Sequence, residues 1–124
     1  MRTSRIAYLA FLAFGLSLAS AYAQDAAGGE RVFKSQCGIC HSTAAGRNMV
    51  GPSMAGVVGR KAGSVAGFHY TDANKNSGLT WDAATLDRYL ANPRGAVPGT
   101  TMAYAGLKAD QQRLDLIAYL ATLH

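Results

Sequence analysis

The most specific chemistry in the sequence lies in five consecutive residues, Cys37-Gly38-Ile39-Cys40-His41. C-x-x-C-H is the attachment signature of a c-type haem. The spacing has a mechanical reason. On a helix, positions i, i+3 and i+4 share one face. Cys37 and Cys40 can then reach the two vinyl groups along one side of a porphyrin, while His41 offers its imidazole to the iron. Three other chemistries use parts of this pattern. A redox dithiol uses C-x-x-C in a βαβ setting, and no strand precedes Cys37. A structural disulfide leaves His41 without a role. Half of a four-ligand metal site needs a second pair, and the sequence has only two cysteines.

An iron held by His41 on one side takes its sixth ligand from Met, His or Lys, or has none. The candidates are Met49, Met54, Met102, His69 and His124. Methionine is usually a filler of core gaps, which is the reading of Met49 and Met54. Met102 sits in Pro98-Gly99-Thr100-Thr101-Met102-Ala103-Tyr104, a stiff loop far along the chain from His41. A distant loop is what closes the opposite face of a haem, so position favours Met102.

The elements that must hold these residues read as helices and loops. Glu30 to His41 is predicted helical, with Val32, Phe33, Cys37 and Cys40 on one face. Thr43 to Gly67 is glycine-rich and contains Gly51-Pro52, so it is mostly loop. Thr80 is predicted to cap a helix from Trp81 to about Leu90, with Leu86, Tyr89 and Leu90 inward. Pro93 ends that helix near Asn92. A last helix is expected over Asp110 to Leu123, with Leu114, Ile117, Ala118 and Ala121 inward. No useful strand alternation is present, so the fold class is all-α with long loops.

Arg2 and Arg5, a charge-free run from Ile6 to Leu18 and then Ala19-Ser20-Ala21-Tyr22-Ala23 form the pattern of a cleavable signal peptide. The run is too short to span a bilayer, which takes about 20 residues; the alternative is an uncleaved amphipathic anchor. Cleavage after Ala23 is favoured, with Ala21 as the alternative. Residues 1–23 are then a leader and residues 24–124 one mature domain. The mature chain carries 10 basic and 7 acidic residues, a balance of +3. That balance argues neither for nucleic acid nor for a membrane surface. Export implies an oxidising compartment, most simply a bacterial periplasm. Leu, Ile, Val and Phe make up only 18 of the 101 mature residues, a lean core that a non-protein group could complete.

From Gly28 to His124 the chain resembles the class I cytochromes c, including the mitochondrial protein and the short soluble bacterial ones. The matching stretches are Val32-Phe33, Cys37 to His41, Gly51-Pro52, Gly59-Arg60-Lys61, Gly67 to Asn76 and Leu79-Thr80-Trp81. They continue through Tyr89-Leu90, Asn92-Pro93, Pro98-Gly99-Thr100, Met102, Ala105-Gly106 and Asp115 to Leu120. The resemblance implies a small cytochrome c fold, four to five helices with long loops around one haem c. Cys37 and Cys40 would form its thioethers. His41 would be the proximal ligand, its other ring nitrogen donating to the Pro52 carbonyl. Met102 would be the distal ligand. Arg60, Tyr70 and Trp81 match residues that stabilise buried haem propionates. Asn74, Tyr89 and Thr100 match a polar cluster beside the methionine. Gly29 would let the first and last helices cross tightly, near Leu116 and Tyr119.

The chain also departs from the mitochondrial pattern. The loop after His41 is one residue shorter, which affects the alignment of Arg47 and Asn48. Gln36, Gly95, Thr101 and Ala109 stand at positions that carry lysine around the haem edge in the family, while Arg31, Arg94 and Lys108 remain basic. Tyr104 replaces a phenylalanine. An iron with both axial positions filled suits outer-sphere electron transfer, and Met/His ligation raises the reduction potential. The expected function is a periplasmic one-electron carrier, monomeric and not an enzyme, serving membrane cytochrome complexes, oxidases or reductases. A haem peroxidase or five-coordinate gas sensor needs an open iron position, and a thiol oxidoreductase needs free cysteines.

Overall fold

The computed structural model describes residues 23–124. The proposed leader, residues 1–23, lies outside the described residues except for Ala23. Five helices follow in order: α1 Ala26–Gln36, α2 Asp72–Lys75, α3 Ala83–Ala91, α4 Pro93–Ala96 and α5 Asp110–Leu120. Among the described residues the only strand-like pairing is one isolated antiparallel bridge between Lys61 and Thr80, and no helix is long and apolar enough to cross a membrane. The expectation of an all-α fold with long loops holds.

The helix starts follow from short polar side chains that satisfy orphan N–H groups. Asp25 Oδ1 accepts from Ala27 N at 3.0 Å, and Asp82 Oδ1 accepts from Thr85 N at 2.8 Å. The Asp82 carboxylate is accordingly held below its usual pKa, chiefly by the hydrogen bond from the Thr85 backbone. Thr71 Oγ1 caps α2, accepting from Asn74 N at 3.3 Å, and Asn92 Oδ1 caps α4, accepting from Gly95 N at 3.1 Å. Pro93 occupies the first turn of α4, where its missing N–H is not needed.

Three sequence expectations require correction. The first helix begins at Ala26 and ends at Gln36, so the cysteines lie beyond it. The cap of α3 is Asp82, not Thr80; the Thr80 backbone is taken up in the bridge with Lys61. The last helix ends at Leu120, and its buried face is Arg113, Leu116, Ile117 and Leu120. Leu114 and Ala118 are only half-buried, and Ala121 is exposed. The inward stripe is rotated because Arg113, a residue that a hydropathy pattern places outside, is buried. Its guanidinium bonds Asp87 at 2.8 Å, the Leu107 and Lys108 carbonyls at 2.9 and 3.0 Å, and Asp110 at 2.6 Å. With its charge paired and its donors used, the cost of burial is offset.

Helices α1 and α5 cross closely at Gly29. A Cβ there would run into the Asp115 carbonyl and come within 2.8 Å of the Tyr119 Cβ. Phe33 packs on Tyr119 beside this crossing, ring centroids 5.6 Å apart. Phe33, Leu86, Leu90, Leu116, Ile117 and Leu120 form the buried centre, with Val57, Trp81, Val97 and Leu107 joining from the loops. One face of this core is left for the cavity described next.

Candidate functional site

A cavity of about 400 Å³ opens between α1, the 42–54 loop, the 97–106 loop and the inner side of α3 and α5. Cys37, Cys40, His41, Pro52, Arg60, Tyr70, Asn74, Trp81, Tyr89, Thr100 and Met102 all line it. Every predicted site residue is therefore brought to one place.

The cysteines and His41 stand on an extra turn that continues α1 after its end. Cys37 N donates to Phe33 O at 2.8 Å, and Cys40 N and His41 N both turn back to Cys37 O at 3.0 and 2.9 Å. The i, i+3, i+4 spacing argument survives, but it acts through this turn rather than through the regular helix. The two thiols are free of each other. Burial pushes Cys37 up to about 11. A nucleophilic redox cysteine needs the opposite shift, so the site does not favour dithiol chemistry.

His41 Nδ1 lies 2.8 Å from the Pro52 carbonyl. A carbonyl only accepts, so Nδ1 carries the proton and Nε2 keeps the lone pair. Burial lowers the His41 pKa, with the Pro52 bond opposing and Arg60 assisting, a shift toward the neutral ring that a metal ligand needs. Pro52 is itself fixed by its loop. Gly51 N donates to Cys40 O and Met54 N to Ser42 O, both at 2.8 Å. Ser53 N donates to Asn48 Oδ1 at 3.0 Å, and Ser53 Oγ to Ala44 O at 2.7 Å. Gly51 must be glycine for a steric reason, since a Cβ there would overlap the His41 imidazole.

Two of the methionines line the cavity. Met54 shares the loop with Pro52 and packs against the core. Met102 comes from the 97–106 loop. Its backbone N donates to Thr100 Oγ1 at 3.3 Å, and Tyr89 Oη donates to its Sδ at 3.7 Å. Burial holds the Tyr89 phenol above its ordinary pKa, with Thr100 acting in the opposite direction. Asn74 lines the cavity but donates to Thr71 Oγ1 at 3.1 Å, so Thr71 belongs to the polar cluster that sequence reading assigned to Asn74, Tyr89 and Thr100. Met49 is exposed and does not line the cavity, and neither do His69 and His124.

Arg60 is the one charged side chain in the lining apart from the titratable His41. One terminal nitrogen donates to Ala55 O at 2.8 Å, while Nε is buried with no partner. A buried guanidinium donor left unpaired beside an apolar cavity is costly, and it is relieved by an anionic acceptor entering the cavity. Tyr70 Oη accepts from Val65 N at 3.1 Å and retains its own proton to donate. Trp81 is buried against Tyr89, ring centroids 4.7 Å apart. The set is two thiols, a neutral imidazole with a free lone pair, a thioether and an unpaired guanidinium in an apolar envelope. It fits a flat apolar iron macrocycle with carboxylate side chains.

Sequence reasoning missed two features of the rim. Tyr104 Oη donates to Gln36 Oε1 at 2.5 Å, joining the end of α1 to the 97–106 loop across 68 residues of chain. Ile39 and Val50 are 81% and 80% exposed at the mouth. Gln36 and Tyr104 were both singled out as departures; their partnership had no signal in the sequence.

Residues 26–124 match the Cytochrome c family. The chain is similar to a cytochrome c2 of Rhodomicrobium vannielii, 59% identical over 108 residues that cover 86% of each chain. It is 50% identical over 115 residues to a cytochrome c2 of Blastochloris viridis, covering 88% of this chain and 90% of that one. Among solved structures, cytochrome cH from Methylobacterium extorquens superposes with a TM-score of 0.74 at 47% identity, covering 79% of this chain and 98% of that one.

Proposed function

This chain belongs to the cytochrome c family, and from that premise we propose a soluble periplasmic one-electron carrier whose iron is held by His41 and Met102. Members of the family carry one covalent haem c and are electron carriers, not enzymes, passing electrons to redox partners. Bound haem c supplies the one-electron iron couple.

Cys37 and Cys40 supply the thioether sulfurs. His41 would hold the iron through Nε2, and the Pro52 carbonyl holds the ring in that tautomer. Met102 would offer its thioether to the iron, steadied by Tyr89 and Thr100. Arg60, with Tyr70 and Trp81 in the same lining, would receive the propionates, since its unpaired Nε calls for an anionic acceptor. The observation that carries the reading is the 2.8 Å bond from His41 Nδ1 to Pro52 O beside two free cysteines and Met102 in one cavity. With His41 and Met102 both given to the iron, the chain would leave it no position for a substrate, which suits outer-sphere electron transfer.

The leader pattern over residues 1–23 supports export to the periplasm, and the mild charge balance supports neither nucleic-acid binding nor a membrane surface. The partners proposed are membrane cytochrome complexes, oxidases or reductases, met by a monomer. The exposed residues around the mouth, Gln36, Ile39, Val50, Thr101 and Ala103, include no charge, so docking relies on desolvating an apolar rim more than on steering.

The test is to make the precursor with export and haem-attachment machinery. Haem should stay on the denatured chain, and the oxidised protein should show the weak near-infrared sulfur-to-iron band. Met102→Ala should abolish that band. Haem lost to acid acetone, or a band abolished instead by Met54→Ala, overturns the ligand assignment.

A further inference from the structure

The 97–106 loop that presents Met102 is rooted on the end of α3. At Gly106 the backbone turns with φ 113°, and it passes so close to α3 that a Cβ would overlap the Ala91 carbonyl. The next N–H, that of Leu107, donates to Leu90 O at 2.7 Å. Ala91 is the last residue of α3, so its carbonyl is one of the orphan acceptors of a helix end. No backbone N–H reaches it among the described residues. Lys108 Nζ does, at 2.6 Å, and it also donates to Ala105 O on the loop at 3.4 Å. One ammonium thus joins the helix end to the loop.

The sequence places Lys108 among the basic residues left at the haem edge, where a free charge would serve steering. The residue is exposed, yet its ammonium turns back onto these two carbonyls and forms no ion pair among the described residues. A cation at a helix C-terminus also meets the negative end of the helix dipole. The Lys108 backbone is fixed from the other side, where Arg113 Nη1 on α5 donates to Leu107 O and Lys108 O at 2.9 and 3.0 Å. Between Met102 and this root, the N–H groups of residues 103–106 find no protein acceptor among the described residues. That stretch is therefore held by the Tyr104–Gln36 bond at its middle and by the root at its end.

We propose that Lys108 is a positioning residue for Met102: its ammonium clasps the root of the loop to α3 and so sets how readily the thioether gives way to another ligand. The proposal rests on the reading of Met102 as an iron ligand. For the loop to swing away from the cavity, the segment after Met102 has to pivot where the backbone leaves α3. The two bonds of Lys108 span that point, one to the helix end and one to the loop residue before Gly106. A neutral apolar side chain of similar length keeps the stem and leaves the Ala91 carbonyl to water. Charge-assisted hydrogen bonds are roughly twice as strong as neutral ones, so arginine should restore the clasp and a neutral side chain should not.

The experiment is titration of the oxidised, haem-loaded protein with imidazole, which competes with the thioether for the iron. Lys108→Met should bind imidazole roughly 3- to 10-fold tighter, the scale of one solvent-exposed hydrogen bond, and should keep the near-infrared band when imidazole is absent. Lys108→Gln, also neutral, should do the same, while Lys108→Arg should stay within about 2-fold of the parent. Arg94→Gln, which removes an exposed basic residue without such a clasp, should leave the affinity unchanged. In a Met102→Ala background Lys108→Met should add nothing, because no thioether remains to be held. Parental affinity in both neutral variants overturns the clasp. So does an equal tightening by Arg94→Gln, or a Lys108→Met effect that persists without Met102. If Met102→Ala alone leaves the affinity unchanged, the ligand reading fails and the proposal with it. With that variant at least about 10-fold tighter, a failure belongs to Lys108 alone.

Discussion

The two sides of the cavity are built differently. On the His41 side, the 42–54 loop is cross-tied: Gly51 and Met54 bond back to Cys40 and Ser42, Met49 bonds Gly51, and Asn48 and Ser53 add side-chain ties. On the Met102 side, the 97–106 loop is sparsely tied. Thr100 N bonds Val97 O and Met102 N bonds Thr100 Oγ1, but the N–H groups of Ala103, Tyr104, Ala105 and Gly106 have no protein acceptor among the described residues. Local opening follows the distribution of such bonds. In the proposed ligand pair the imidazole would therefore be the permanent member and the thioether the exchangeable one, with the Tyr104–Gln36 bond as a strap across the looser side.

The largest effect that tests this contrast is Gly51→Ala. Its Cβ overlaps the His41 ring, and the cross-tied loop cannot move aside. Overpacking of this kind costs about 1–3 kcal/mol, and we expect the upper end, read as a lowered midpoint in denaturant unfolding and a poor yield of haem-loaded protein. A variant as stable as the parent would show that the His41 side is not rigid.

Met102→Ala comes next. Removing the competing ligand makes the site fully competent, so added imidazole should bind the oxidised protein at least about 10-fold tighter by titration. Unchanged affinity would mean that Met102 never occupied the position. Tyr104→Phe has a smaller expected effect. Loss of a partly exposed hydrogen bond is worth about 0.5–1 kcal/mol, or roughly a 2- to 5-fold faster entry of imidazole by stopped flow, with the near-infrared band retained. Gln36→Leu should do the same, and the double variant should match either single one, as expected for a shared bond.

The smallest effect concerns the rim. Electron transfer to a native partner should depend only weakly on ionic strength, since the exposed mouth carries no charge. Lysine introduced at Gln36 and Thr101 should steepen that dependence if the partner is acidic. A steep slope in the parent protein would assign the steering to Arg31, Arg94 and Lys108 instead.

Much of this molecule was legible from residue types alone, because the relevant constraints are local. The C-x-x-C-H spacing, the Pro93 stop at the end of α3 and the absence of strand alternation depend on a few neighbouring residues, and each holds in the structure. The likeness to a known family carried the longer-range assignments, and His41 with Pro52 is found as that likeness implied. Only the tertiary structure decided what depends on residues far apart. Helix α1 stops at Gln36, yet the next turn still aims the cysteines into the cavity. Arg113 is buried because Asp87 and two loop carbonyls reach it, which no hydropathy pattern encodes. The Tyr104–Gln36 strap and the unpaired Arg60 Nε likewise exist only once distant segments meet. Periodicity records which side chains prefer to leave water; it does not record which polar atoms will find a partner when they do.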